Sequence, residues 1–356
     1  MKKTLYILLF IFATVGITQS CETSTDNKQE QITKPSVEFL SKSEAAVAIL
    51  DESYEPYFSI LQIREIQVLT GKQVPSSNIN EARDFARKEF SSAVSSFSKE
   101  EKSALLMATS SIKSTFHKQH LDIIAYHPWK FIKIQDWLCG GYAHTRGDCI
   151  ILSQRHLDHL ISDWSDNMSK KDSLLLIKKL GSLLVHEQFH SLQRQYPTKF
   201  DSLYIGSWGF QKTVVEEDSA IIINQLTNPD APKAEWIVSY GDDYYWVRTL
   251  IKADIDNPQM GKDFIDVVFT LENKNDKFAV MRDSLNNIEK QRLSDFTQYT
   301  SLFAVTQGLD HPNEISAYMF SKYYVSIMNG EPAFNNAAES TQSFSKEFIN
   351  WLNNEF

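Results

Sequence analysis

Leu183-Leu184-Val185-His186-Glu187-Gln188-Phe189-His190-Ser191-Leu192 is the stretch on which the reading of this chain turns. It is an H-E-x-x-H motif inside an apolar, helix-like run. Residues four apart on an α-helix share a face, so the imidazoles of His186 and His190 can reach one metal ion at about 2.0–2.1 Å. Glu187 lies one position around the helix. It is too far round to be a good third ligand, yet near enough to hydrogen-bond a water on the metal. Zinc lowers the pKa of such a water to about 7, and a carboxylate beside it can take the proton as the oxygen attacks a polarised carbonyl. The residues therefore predict a Zn2+ site with His186 and His190 as ligands and Glu187 as general base.

The surroundings place the motif on a helix. Leu176, Leu180, Leu183 and Leu184 repeat at the spacing of a buried helix face, and Pro197 marks a stop just beyond. A zinc enzyme needs a third protein ligand. Lys212-Thr213-Val214-Val215-Glu216-Glu217-Asp218-Ser219-Ala220-Ile221-Ile222-Ile223 reads as a second helix carrying glutamates. A second candidate is Glu314 in Asp310-His311-Pro312-Asn313-Glu314-Ile315-Ser316-Ala317-Tyr318, which starts another helix after a long insertion.

An H-E-x-x-H helix followed by a helix bearing a glutamate resembles the gluzincin metallopeptidases. The wider pattern His186-Glu187-x-x-His190-x-Leu192-Gln193-x-Gln195, then Val215-Glu216, is similar to bacterial proteins reading H-E-x-x-H-x-L-Q-x-Q and later V-E-G-x-A. This chain places Glu217 where glycine is usual. The resemblance covers about forty residues. It implies an α+β, helix-rich zincin-like domain with a small sheet beside the motif helix, and Glu216 as the third ligand. It also implies peptide or protein substrates, with Glu187 acting as base and then as acid to the leaving amine. The segment Tyr142 to Leu152 matches the strand that pairs with an extended peptide in that fold. A zinc-bearing binding lipoprotein without turnover, and a hydrolase of non-peptide amides, are the competing classes. His311, Tyr240, Tyr244 and Tyr245 are candidates by residue type for the donor that an oxyanion requires.

The N-terminus speaks to location. Met1-Lys2-Lys3 is basic, and Leu5 to Val15 is apolar but shorter than the roughly twenty residues that cross a bilayer, so residues 1–21 read as a signal peptide. Ile17-Thr18-Gln19-Ser20-Cys21 resembles the lipobox of bacterial lipoproteins, which implies acylation of Cys21 and a lipid anchor on the extracytoplasmic side of the cell envelope. Residues 22–36 have the composition of a disordered tether.

The net charge of −9 argues against nucleic acid as a partner, since phosphate binding depends on clustered Lys and Arg. Cys139 and Cys149 flank a glycine-containing loop in a chain expected to meet an oxidising compartment. They are expected to form a disulfide, the alternative being buried thiols. The folded part divides into a helical region, 37–130, and a catalytic region, 131–356. In the first, Glu44 to Leu50, Ile63 to Leu69, Asn80 to Phe97 and Lys99 to Phe116 carry helical spacing, with Ser98 and Glu101 as a capping box. Phe131 to Ile134 and Cys149 to Leu152 read as strands, and the remainder reads as helix-rich.

Overall fold

The strand-forming run Trp129-Lys130-Phe131-Ile132-Lys133-Ile134 sets the architecture around the motif. In the computed structural model, which describes residues 37–165, 167–275, 277–334 and 339–356, this segment is the middle of a five-stranded mixed sheet. The strands are β1 (Val37–Phe39), β2 (Val94–Ser95), β3 (Trp129–Ile134), β4 (His144–Arg146) and β5 (Cys149–Ser153). Their order is β1-β3-β5-β4, with β2 also on β3; β1, β3 and β5 run parallel, and β4 returns antiparallel to β5 at one edge. Successive side chains of a strand point to opposite faces. Trp129, Phe131, Ile150 and Leu152 accordingly join one apolar core, while Ile132, Ile134, Cys149 and Ile151 join another.

Helices cover both faces. Over the second face lie α1 (Lys42–Ala48), α2 (Ile63–Thr70) and α3 (Ile79–Ser92). Over the first lie α4 (Lys99–Lys118) and, beyond α5 (Asp122–Ala125) and α6 (Gln154–Leu160), the motif helix α7 (Lys170–Gln195). The capping box of α4 is present: the Ser98 hydroxyl accepts from Glu101 N, and Ser98 N donates to the Glu101 carboxylate. The expected border between residues 130 and 131 falls inside β3, and the described residues from Val37 onward belong to one compact unit. The expected signal peptide, lipidation site Cys21 and tether lie outside the described residues, and among the described residues no helix is long and apolar enough to cross a membrane.

After α8 (Pro197–Asp201) the chain departs from the helix-rich expectation. It builds a second, antiparallel sheet from β6 (Phe210–Lys212), β7 (Trp236–Tyr240), β8 (Asp243–Ile251), β9 (Phe264–Lys274), β10 (Lys277–Val280) and β11 (Lys290–Arg292). Between β6 and β7 only the short α9 (Ser219–Ile222) is helical. Past α10 (Thr297–Thr300), α11 (Pro312–Asn329) and α12 (Glu339–Glu355) close the larger core. The mixed α and β content agrees with an α+β class.

The packing of α11 on α7 decides the site. Gly181, in the middle of α7, costs about 1 kcal/mol relative to alanine in helix propensity. A Cβ there would stand 2.6–2.7 Å from the Tyr324 ring carbons of α11, so the absence of a side chain lets the two helices meet closely. Phe189 of α7, between the two histidines and next to His190, stacks on Phe320 of α11 with ring centroids 4.3 Å apart.

Candidate metal and catalytic site

The two motif histidines point from α7 at the first turn of α11. His311 caps that helix, its Nδ1 accepting from Asn313 N at 3.1 Å, and Pro312 takes the first position, where its missing N–H costs nothing. Glu314 then falls in the first turn with its carboxylate facing the histidines. His186 Nε2 is 3.4 Å from Glu314 Oε2, His190 Nε2 is 3.5 Å from Glu314 Oε1, and the two Nε2 atoms are 3.2 Å apart. Gly308 (φ +65°) packs against this corner, where an added Cβ would meet Glu314 Cβ at 2.8 Å and the Tyr318 ring at 2.6 Å.

Glu216, the expected third ligand, is elsewhere. Its segment is not helical: Val215 forms a bridge with Phe278, Glu216 N donates to Phe278 O at 2.7 Å, and Asp218 caps the short α9. The Glu216 side chain is 57% exposed, with Lys277 Nζ at 4.0 Å, and Glu217 is exposed as well. Pairing with the second sheet holds this stretch extended and turns its acidic residues to solvent. The structure thus brings together His186, His190 and Glu314, and leaves Glu216 and Glu217 out.

The expected disulfide is also absent. Cys139 and Cys149 are separate buried thiols in the core beneath α1–α3, and burial pushes both thiols up to about 12. Cys149 lies within β5, while Cys139 sits in a short turn at φ 49°.

Around the triad lies a polar shell that the sequence reading left unassigned. Gln193, one turn beyond His190 on the same face, accepts from His190 Nδ1 at 2.8 Å. Its Nε2 donates to Asn313 O at 2.8 Å and Ser316 Oγ at 3.0 Å, tying α11 to the histidine. This bond fixes the His190 tautomer with the Nε2 lone pair toward Glu314. Asn228 Nδ2 donates to Glu314 Oε1 at 2.8 Å. Tyr318, one turn after Glu314, sets its ring edge-on to His186 with centroids 4.4 Å apart. His186 Nδ1 has no protein partner.

Glu187 points to the opposite side of the pair, toward β4. Thr145 Oγ1 lies 2.9 Å from both Glu187 Oε2 and Glu187 O. Asp230 stands close by: one oxygen of it, one of Glu187 and a ring nitrogen of His190 all lie within 4.8 Å of one another. Burial, and after it the Asp230 charge, raises Glu187 well above the ordinary carboxylate range. Asp230 is itself pushed up to about 6 by burial and by Glu314. Burial acts upward on Glu314 too, but the facing imidazoles and Asn228 outweigh it and hold it at about 2. Burial acts downward on both histidines. It brings His190 to about 4, whereas for His186 the bond and charge of Glu314 prevail and lift it to about 9.

Of the oxyanion candidates, His311 serves as helix cap and donates to Lys233 O at 3.2 Å. Tyr240 is exposed, Tyr244 packs on Phe278, and Tyr245 on Phe296. Comparison with known protein families, with characterised proteins and with solved structures finds no match to this chain.

Proposed function

We propose that this chain is a zinc-dependent hydrolase of peptide bonds, a metallopeptidase of the gluzincin kind, with His186, His190 and Glu314 as the metal ligands and Glu187 as the general base. The observation that carries this reading is the spacing of the ligand atoms. Atoms bound to one zinc at about 2.0–2.1 Å in tetrahedral directions lie about 3.3–3.4 Å apart. Here the two Nε2 atoms are 3.2 Å apart and each faces its own oxygen of Glu314, His186 at 3.4 Å from Oε2 and His190 at 3.5 Å from Oε1. Two imidazoles and one carboxylate are also the donor set of several catalytic zinc sites, which keep a fourth position open.

Bound there, zinc would supply a Lewis acid and a water acidic near neutral pH. The rest is the work of the chain. Glu187, held by Thr145 and raised by burial, is suited to take a proton and to return it to a leaving amine. Gln193 and Asn228 hold the ligand atoms in place. The edge of β4, directly beside Glu187, is the surface on which an extended backbone can pair. We further propose, on the sequence alone, that acylation of Cys21 anchors the domain to the extracytoplasmic side of a bacterial envelope membrane.

Incubation with a mixed peptide library tests the reading. Wild type should cleave, and Glu187→Gln should retain its metal and fold while losing about 10²–10⁴-fold in rate. Equal rates for the two proteins would remove Glu187 from the mechanism. Metal binding without cleavage of any peptide would leave a binding protein or a hydrolase of another amide.

A further inference from the structure

The edge of β4 beside Glu187 is already occupied. Gly147 and Asp148 form the two-residue turn between β4 and β5, so Arg146 and Cys149 close the hairpin and Thr145 pairs with Ile150 at the next position. In an antiparallel ladder hydrogen-bonded and non-hydrogen-bonded pairs alternate, which turns the N–H and C=O of Thr145 away from β5, toward the open edge. A strand added to that edge would place a carbonyl oxygen on Thr145 N. The atom there is Asp230 Oδ1, at 2.5 Å.

Two further side chains, Asn228 and Arg194, hold the same segment in the cleft. Asn228 Nδ2 donates to Glu314 Oε1 at 2.8 Å, and Asp230 N donates to Asn228 Oδ1 at 2.9 Å. Arg194, two turns past Glu187 on the motif helix, donates through one nitrogen to Pro229 O at 3.0 Å and Asp230 O at 3.1 Å, while its Nε is paired with Glu55 at 2.6 Å. Three consecutive residues thereby engage the strand edge, a candidate ligand and the motif helix. The effect on access is large: Thr145 and His190 have no exposed surface and Glu187 only 2%. No polypeptide backbone can pair with Thr145 while Asp230 does.

We propose that Asn228-Pro229-Asp230 is an internal blocking segment. It mimics the backbone of an extended substrate on the β4 edge and must withdraw before a peptide can reach Glu187. This rests on the hydrolase reading for its purpose, but not for its test.

Asp230→Ala removes the acceptor for Thr145 N, whereas Asp230→Asn keeps an oxygen there without the charge. Amide hydrogen exchange of Thr145 is measured in wild type and both variants, without added metal, with the amides paired between β3 and β5 as the control for fold. Loss of a hydrogen bond to a charged group should increase the open population about 10- to 100-fold. The expected result is a protected Thr145 amide in wild type and Asp230→Asn, and exchange faster by that factor in Asp230→Ala. Cleavage of the mixed peptide library by Asp230→Ala should rise in parallel. Exchange of Thr145 in wild type at the rate of an unpaired amide, or equal exchange in all three proteins, overturns the blocking segment. So does cleavage that falls together in both variants, because the charge would then serve the reaction. If none of the three cleaves any peptide, the hydrolase reading fails and the exchange result still decides the segment.

Discussion

Replacing Glu314 by glutamine removes one candidate ligand with little change of shape, and its cost can be worked from the geometry. Structural zinc sites with four protein ligands bind with about 10–16 kcal/mol, or about 2.5–4 kcal/mol per ligand, so loss of one should weaken binding by about 10²–10³-fold. The amide oxygen that Glu314→Gln introduces can still accept from Asn228 Nδ2, now 2.8 Å from Glu314 Oε1, so the start of α11 should stay in place. Glu216→Gln is the matched control. Glu216 is 57% exposed and its cationic neighbour Lys277 is 4.0 Å away, so this change should leave affinity within a factor of about two. Competition with a chromophoric chelator near neutral pH measures both, with circular dichroism and thermal melting confirming the fold. Full affinity in Glu314→Gln would refute the ligand set. Loss in Glu216→Gln with retention in Glu314→Gln would restore the spacing first expected from the sequence.

Three further outcomes are expected. Gln193→Ala frees His190 Nδ1 and unties it from α11, and metal affinity in the same chelator assay should fall about 10- to 100-fold; an unchanged affinity would show that the ring is oriented by packing alone. Gly181→Ala should destabilise the protein in urea by about 1–2 kcal/mol despite the better helix former, because the added Cβ overlaps Tyr324, and a stabilised variant would contradict the close approach of α7 and α11. His127, bonded to Ser191 and lowered by burial from 6.5 to about 4, resists protonation in the folded state, so its stabilising contribution is intact above pH 6.5 and lost as pH falls toward 4. Measured by urea denaturation across that range, wild type should lose about 3 kcal/mol relative to His127→Gln, with no relative change above pH 6.5; parallel curves would place the imidazole in water.

The parts of the site legible in the sequence are those written by local rules. The i, i+4 histidines, the stop at Pro197, the Ser98–Glu101 box and the strand over Phe131–Ile134 each follow from local pattern within one element, and each is found where expected. The third position of the triad depends on a contact far along the chain. Gln193 and Asn313, which bind each other beside it, are 120 residues apart. In Val214-Val215-Glu216-Glu217-Asp218 the apolar and acidic residues satisfy a helical pattern as well as an extended one, and the bridge from Val215 to Phe278 selects the extended form. The same ambiguity concealed the second sheet, although Trp236-Ile237-Val238-Ser239-Tyr240 and Phe264 to Leu271 are rich in aromatic and β-branched residues. Asp230 carried one local cue, the Asn228-Pro229 dipeptide that favours a turn, but nothing that assigned the turn to the strand edge.

The motif helix explains why so few residues define the centre. His186, His190 and Gln193 follow one another at i, i+4 and i+7, which keeps them on one stripe facing α11, and all three make contact there with Glu314, Asn313 or Ser316. Glu187 and Arg194 are seven apart on the neighbouring stripe, one position around. That stripe faces β4 and the Asn228–Asp230 segment, where Glu187 meets Thr145 and Arg194 meets Pro229 and Asp230. One helix therefore presents the proposed ligands to one neighbour and the proposed base, with Arg194 on the Asn228–Asp230 segment, to another. Any rotation of α7 that improves one set of contacts disturbs the other. The tight seat of Tyr324 on Gly181 and the Phe189–Phe320 stack oppose such a rotation from the same side as the ligands. Access to the edge then requires moving Asn228–Asp230, in which Pro229 and Asp230 are buried and which the side chains of Asn228, Asp230 and Arg194 hold in place through hydrogen bonds.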